Sequence, residues 1–79
     1  MKNNYIPLCF LKIGEKGKVK EIKINGLIRR RLFDLGLIHD TTIESLHKSP
    51  FGDPIAYLIR GAVIALRKEI SSLILVEKI

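Results

Sequence analysis

The 79-residue sequence has few of the side chains from which small proteins build crosslinks. Cys9 is the only cysteine, and there are only two histidines. One cysteine cannot form an intrachain disulfide, and it excludes a metal cage made of cysteines within one chain. Because its neighbours Leu8, Phe10 and Leu11 are apolar, we interpret Cys9 as a buried structural thiol rather than a reactive one.

Long apolar runs are also lacking. Segments such as Ala62–Leu66 are far shorter than the roughly 18–20 apolar residues that cross a bilayer. Residues 1–10 contain a lysine and a proline, but no apolar stretch of signal-peptide length. The sequence therefore predicts a cytoplasmic protein without a membrane span.

The composition is that of a globular protein, with 47% hydrophobic and 28% charged residues. At this length there is room for one core, so residues 1–79 are predicted to form a single domain. Fourteen Lys and Arg residues against eight Asp and Glu give a net charge of +6. This charge predicts attraction to acidic partners, whether protein, nucleic acid or lipid headgroups, and does not choose between them.

A change of phase marks the first clear strand. Apolar and charged residues alternate over Lys18-Val19-Lys20 and again over Ile22-Lys23-Ile24, but the two apolar phases do not match. One extra residue re-aims the side chains of a strand and sharpens its bend. We therefore predict a β-bulge near Lys20-Glu21.

The period changes to a helical one after Asn25. Apolar residues then recur at spacings of four and three, at Ile28, Leu32 and Leu35. This pattern predicts an amphipathic helix of about ten residues that packs on the sheet. Asn25 is predicted to cap its first turn, and Gly36 to end it in a left-handed conformation that folds Leu37 back onto Leu32.

The remainder reads as short strands separated by turns. Strands are predicted over 41–47, 55–59, 62–66 and 73–76, with a proline-rich loop over 49–54 and one helical turn over 68–72. Arg60-Gly61 is short enough for a tight hairpin, which we expect at the centre of the barrel, with Tyr57 in the core. The predicted fold is mainly β: a small, partly open barrel of about five strands with one inserted short α-helix.

Chemical motifs are scarce. Nothing resembles a nucleophile elbow, a phosphate-binding loop or a dinucleotide-binding turn, so the chain is predicted not to be an enzyme. His39, Asp40 and His47 are the only plausible metal donors near each other, and they fall far below any zinc signature. We treat them as weak candidates for a divalent ion.

Basic residues and one aromatic residue indicate binding instead. Arg29, Arg30 and Arg31 fan around the predicted helix, so two could face a partner while the third lies along the barrel or pairs with Asp34. Phe51, between a proline and a glycine, is the one aromatic residue expected to be exposed. The candidate partner surface is made of Arg29, Arg30, Phe51, Lys18 and Lys20.

Four blocks of the sequence carry a family resemblance. They are Arg31-Leu32-Phe33-Asp34-Leu35-Gly36-Leu37, then Gly52-Asp53-Pro54, then Gly61-Ala62-Val63-Ile64-Ala65-Leu66-Arg67, and finally Ile74-Leu75-Val76. In this order and spacing the chain resembles the FeoA family over nearly its whole length. It departs where many members have a Pro-Gly turn after the helix, since His39-Asp40 stands there.

The resemblance implies an SH3-like barrel, a cytoplasmic location and a role beside the membrane ferrous-iron transporter, by contact with its cytosolic GTP-binding region. It implies no firm cofactor, and Fe²⁺ is the metal associated with the family. Two alternatives stay open: a nucleic-acid-binding small barrel, weakened by the scarcity of exposed aromatics, and a direct Fe²⁺ sensor or carrier. Self-association through edge strands is also open.

Overall fold

The structure is a computed structural model that describes residues 4–79; residues 1–3 of the predicted domain lie outside the described range. Its strands are β1 (Tyr5–Pro7), β2 (Lys16–Ile22), β3 (Thr42–Lys48), β4 (Ile55–Ile59), β5 (Ala62–Leu66) and β6 (Ile74–Lys78). Its α-helices are α1 (Leu27–Asp34) and α2 (Lys68–Ser71), and Leu8–Phe10 forms a 3-10 turn. Over the described range, neither helix has the length and apolarity to cross a membrane.

The strands form one antiparallel sheet in the order β1-β6-β2-β3-β4-β5. The predicted mainly-β architecture is therefore confirmed, with one more strand than expected. The short β1 strand, which pairs with β6 through Tyr5 and Glu77, escaped the sequence reading because three residues show no alternation. The expected central position of the hairpin is wrong, since β4 is inside the sheet but β5 is its edge.

The predicted bulge in β2 is confirmed. Val19 pairs with Val76 and Glu21 pairs with Leu75, so Lys20 is the extra residue. The bulge lets Val19 and Ile22 both reach the interior, where they are only 1% and 9% exposed. The change of phase in the sequence was thus the signature of a bend in the sheet.

The core lies inside the curved sheet and is built from aliphatic side chains around Tyr57, which is fully buried as predicted. The buried hydroxyl groups of Tyr57 and Ser71 have no hydrogen-bond partner among the described residues. Burial raises the pKa of Tyr57 to about 12; the Ser71 hydroxyl opposes this, although the pair lacks hydrogen-bond geometry. Cys9 is half-buried against the core rather than fully buried, because it lies in the surface 3-10 turn.

Helix α1 ends as predicted but begins differently. The amide of Leu37 donates to the Leu32 carbonyl at 3.0 Å and that of Gly36 to Phe33 at 2.9 Å, which is a Schellman end. The residue before the first turn is Gly26, not Asn25, and no side chain caps the helix. The cap prediction is wrong because Gly26, at φ +77°, adopts a backbone conformation that redirects the chain at this point.

The apolar face of α1 is only partly buried. Leu32 is 3% exposed, but Ile28 and Leu35, which were predicted to face the core, are 46% and 41% exposed. The helix has eight residues, two fewer than expected, and one buried position anchors it. The prediction was wrong because helical periodicity shows which residues share a face, and does not show that the sheet covers that face.

We expect Gly36→Ala to lower the free energy of unfolding by about 1–2 kcal/mol, because alanine is strained at positive φ while the exposed Arg60 side chain can move away from the added Cβ. Gly36 has φ +101°, and a Cβ there would lie 2.5 Å from Cδ of Arg60. The matched control is Gly14→Ala, where φ is +89° but nothing lies within 4 Å of the added Cβ. Urea unfolding of both variants measures the two losses, which we expect to be similar; a clearly larger loss for Gly36→Ala would show that the Arg60 side chain cannot move aside.

Candidate functional site

The most exposed aromatic side chain projects from an anchored loop. Phe51 is 95% exposed, as predicted, in the connection between β3 and β4. The amide of Ser49 donates to the Pro54 carbonyl at 3.1 Å and closes the loop. Asp53 accepts a hydrogen bond from the Lys68 amide at 2.9 Å and lies 3.8 Å from Nη1 of Arg67. The loop therefore presents Phe51 from a base that is tied to the end of β5 and the start of α2.

The three adjacent arginines of α1 have different surroundings. Nη1 of Arg29 donates to the Ile22 carbonyl at 2.7 Å, and its guanidinium carbon lies 4.9 Å from the centre of the Phe33 ring. Arg29 is half-buried and holds the helix against the end of β2, so it is the arginine that lies along the barrel. Arg30 and Arg31 are exposed.

The outer side of α1 forms a shallow groove in which apolar and basic groups mix. Leu27, Ile28, Arg30, Arg31 and Asp34 line it. Leu27 is 84% exposed and Ile28 is 46% exposed. We call Leu27, Ile28, Arg30 and Arg31 the helix patch. It offers an apolar contact area beside two guanidinium groups suited to carboxylates.

The side chains of Lys18 and Lys20 are less available to a partner than their sequence pattern indicated. Nζ of Lys20 lies 2.6 Å from Oδ1 of Asp40 and 3.6 Å from Glu77. The hydrogen bond from Lys20 to Asp40 raises the pKa of Lys20 and lowers that of Asp40. Lys18 is half-buried and sits between Thr42 and Glu77 in the sheet. Lys20 therefore meets any partner with its charge already paired.

The three candidate metal donors are not gathered into one cluster. Nδ1 of His39 lies 3.6 Å from Oδ2 of Asp40, while His47 is on β3 opposite Ala56. Across residues 4–79, no three His, Cys, Asp or Glu side chains are grouped so that they could hold an ion. His39 instead lines a second groove, between the β2 bulge and α1, together with Arg29 and Phe33.

The remaining residues of the four sequence blocks take distinct structural positions. Gly52 and Gly61 have positive φ, and Arg60 before Gly61 also does, at φ +50°. Leu66 is buried and Arg67 reaches Asp53, so the second and third blocks meet in space. Pro54 closes the Phe51 loop through its carbonyl.

Sequence reasoning missed some exposed apolar groups. Phe10 is 66% exposed and Phe33 is 44% exposed, so the expectation that Phe51 would be the only exposed aromatic residue is wrong. Phe10 is exposed because it ends the surface 3-10 turn, for which the sequence had no signal. The exposure of Leu27 could have been predicted from the sequence, because this residue directly follows Gly26 and lies off the apolar stripe formed by Ile28, Leu32 and Leu35.

The bent antiparallel sheet, with a short helix between β2 and β3, defines the class of the protein as an SH3-like barrel. Over residues 4–79, its exterior carries the exposed Phe51 loop and the helix patch. The chain belongs to the FeoA family, since the model of the FeoA domain matches residues 6–78.

Relatives with known names agree with this assignment. Over 72 residues, 91% of its length, the chain is 31% identical to an Fe(2+) transport protein A/Fe(2+) transporter FeoB fusion protein of Porphyromonas gingivalis, and it spans 8% of that relative's length. It is 37% identical to an FeoA-like protein from Clostridium acetobutylicum, with a TM-score of 0.87 and coverage of 99% of this chain and 91% of that one.

A further solved structure shows the fold alone. The FeoA of Stenotrophomonas maltophilia, complexed with zinc and described as a procaryotic SH3 domain protein, is 24% identical to this chain. Its TM-score is 0.78, over 89% of this chain and 87% of that one. The FeoA family is associated with ferrous iron transport through the fusion relative, and these two solved structures share the fold of this chain.

Proposed function

We propose that the protein is a cytoplasmic, non-enzymatic accessory of ferrous iron uptake that binds the cytosolic GTP-binding region of a ferrous-iron transporter. The observation that carries this proposal is the fusion of an FeoA-type domain to the transporter in the Porphyromonas gingivalis relative. Joining two modules in one chain keeps each at a high effective concentration near the other. A separate chain must obtain the same proximity by binding.

The surface of the barrel supports binding by the Phe51 loop and the helix patch. An exposed aromatic ring on an anchored loop loses little conformational entropy when a partner covers it, which is the property of a hot-spot anchor. In the helix patch, Leu27 and Ile28 add apolar area, and Arg30 and Arg31 add charge that speeds association with an acidic surface. Fe²⁺ is in this proposal the cargo of the transporter.

The test is a titration of the isotope-labelled chain, followed by its amide signals, with the isolated GTP-binding domain of a ferrous-iron transporter from the same genome. We expect saturable shifts in the helix patch and the Phe51 loop. Parallel titrations use Fe²⁺ and duplex DNA. If the GTP-binding domain causes no amide shifts, the proposal is overturned. Salt-sensitive shifts on adding DNA would then favour the nucleic-acid alternative. Shifts at His39, Asp40 and His47 on adding Fe²⁺ would favour the carrier alternative.

A further inference from the structure

Strand β5 is an edge of the sheet with unpaired backbone groups. It pairs with β4 without a register shift, from Ile59 opposite Ala62 to Ile55 opposite Leu66. In a two-residue hairpin the first pair is hydrogen-bonded, and hydrogen-bonded pairs then alternate with non-hydrogen-bonded ones. The N–H and C=O groups of Val63 and Ala65 therefore point away from β4. Within residues 4–79, no backbone or side-chain group bonds to them.

The β5 edge carries none of the features that usually protect an edge strand. Proteins discourage strand pairing at an edge with charged side chains, prolines or bulges. All five residues of Ala62–Leu66 are uncharged and apolar, and none is proline. Ile64 and Leu66 turn toward the core, while Val63, at 63% exposed, faces solvent. An open edge of this kind accepts a further strand through main-chain hydrogen bonds.

The edge lies between the C-terminal end of α1 and the Phe51 loop. At its start, the side chain of Arg60 lies over Gly36, directly after α1, with Cδ 2.5 Å from where a Cβ at Gly36 would stand. At its end, Arg67 and Lys68 contact Asp53 in the Phe51 loop. Five extended residues cover about 16 Å, so a segment laid along β5 would run from the end of α1 to the Phe51 loop.

The charges at the two ends indicate which kind of segment fits. Arg60 precedes β5 and Lys68 follows it, and within residues 4–79 neither side chain forms an ion pair. Arg67, by contrast, is paired with Asp53 at 3.8 Å. A second copy in antiparallel pairing would place Arg60 of one chain near Lys68 of the other, and each chain carries a net charge of +6. Like charges close together destabilise strand pairing, whereas carboxylates at the same places would stabilise it.

We infer that the β5 edge captures an extended segment of a partner protein, with alternating apolar residues between acidic residues, and adds it to the sheet as a seventh strand. The segment would donate to the carbonyls of Val63 and Ala65 and accept from their amides. Its apolar side chains would pack on Val63, and its carboxylates would meet Arg60 and Lys68. The inference rests on the proposed function in one respect only, namely that the captured segment belongs to the transporter.

The test uses a display library of short random peptides selected on the full chain. Individual selected peptides are then titrated into labelled protein. We expect enrichment of alternating β-branched residues bounded by Asp or Glu, and slowed hydrogen exchange at the amides of Val63 and Ala65. No enrichment, enriched peptides that act elsewhere on the barrel, or pairing of β5 with a second copy of the chain would each overturn the inference.

Ala65→Pro is the decisive variant, because proline removes the outward N–H of this residue and leaves the ladder to β4 intact. Selected peptides are expected to lose at least roughly tenfold in affinity for it, equivalent to about 1.4 kcal/mol. Ala65→Val, which keeps the N–H, is the matched control and should bind as the parent does. Unchanged affinity for Ala65→Pro would contradict strand addition.

Lys68→Glu provides a second variant that leaves β5 untouched. A carboxylate in the first turn of α2 is compatible with helix formation, and it reverses one charge at the end of the edge. We expect weaker binding of acidic peptides and stronger binding of their lysine-ended counterparts; equal effects on both would contradict the assigned charge of the occupant.

Titration of the same variants with the GTP-binding domain separates the two proposals. If this domain binds the parent and Ala65→Pro equally, the proposed function stands and the inference fails. If it does not bind the parent, the proposed function fails, and the peptide selection alone decides whether β5 takes a strand.

Discussion

Tyr57→Ala is expected to lower the free energy of unfolding by about 3–5 kcal/mol, the range for truncation of a fully buried aromatic side chain. A domain of this length has a total stability of about 4–12 kcal/mol, so the loss would be a large share of the total. Tyr57 is 0% exposed and stands among the aliphatic side chains of the core. Urea titration followed by circular dichroism measures the change.

Tyr57→Phe is the matched control, because it keeps the ring and removes only the hydroxyl. That hydroxyl is buried and has no hydrogen-bond partner in the described part of the chain. Removing a polar group that makes no bond is expected to change stability by less than about 1 kcal/mol, or to increase it. A loss as large as that of Tyr57→Ala would show that the hydroxyl, through a bound water, contributes what we assign to the ring.

Alkaline pH distinguishes the parent from Tyr57→Phe. The pKa of Tyr57 is about 12 in the fold against an ordinary value of 10. Above pH 10 the unfolded chain therefore releases this proton while the folded chain retains it, so stability falls as pH rises. Between pH 10 and pH 12 the parent is expected to lose about 2 kcal/mol more stability than the variant. Lysine titration contributes equally to both proteins and cancels in this difference.

Phe51→Ala is expected to weaken binding of the GTP-binding domain by roughly 30-fold, or about 2 kcal/mol, while the unfolding free energy stays within about 0.5 kcal/mol of the parent. Phe51 is 95% exposed, so the fold gains almost nothing from its ring. A partner that covers the ring would gain its whole apolar area. Isothermal titration calorimetry gives the affinity and thermal melting gives the stability.

Ile79→Ala is the control for this prediction. Ile79 is 59% exposed and directly follows β6, a strand that is not adjacent to β3 or β4, which flank the Phe51 loop, in the sheet. Its truncation should change neither affinity nor stability by more than a few tenths of a kcal/mol. Equal losses for both variants would mean that general surface hydrophobicity, and not the Phe51 loop, determines binding.

The features of the fold that the sequence predicted correctly are those in which a local pattern has a single physical solution. The change of phase around Lys20 required a bulge, and Gly36 after a helical stripe required a left-handed helix end. The predictions that were wrong concern which other elements pack against a given strand or helix. The apolar run of β5 could not show that its outer side lacks a neighbouring strand, and helical spacing could not show that the sheet leaves Ile28 uncovered.

The candidate site was predictable in part for the same reason. Exposure of Phe51 followed from its flanking Pro50 and Gly52, a purely local signal. Which arginine faces outward depended on the distance from Arg29 to the carbonyl of Ile22, seven residues earlier in the chain, and this required the structure. Pairing of Lys20 with Asp40 likewise joins residues that are twenty positions apart.

Helix α1 is attached to the barrel chiefly by the buried Leu32 and by the hydrogen bond of Arg29 to Ile22. Burial of one leucine is worth about 1.5–3 kcal/mol, so we expect α1 to open locally at a lower free energy than the barrel requires to unfold. A partner that grips the helix patch binds only molecules in which α1 is docked. Its affinity is therefore linked to the docking equilibrium, and any substitution that loosens α1 lowers affinity at a distance without removing a single contact to the partner.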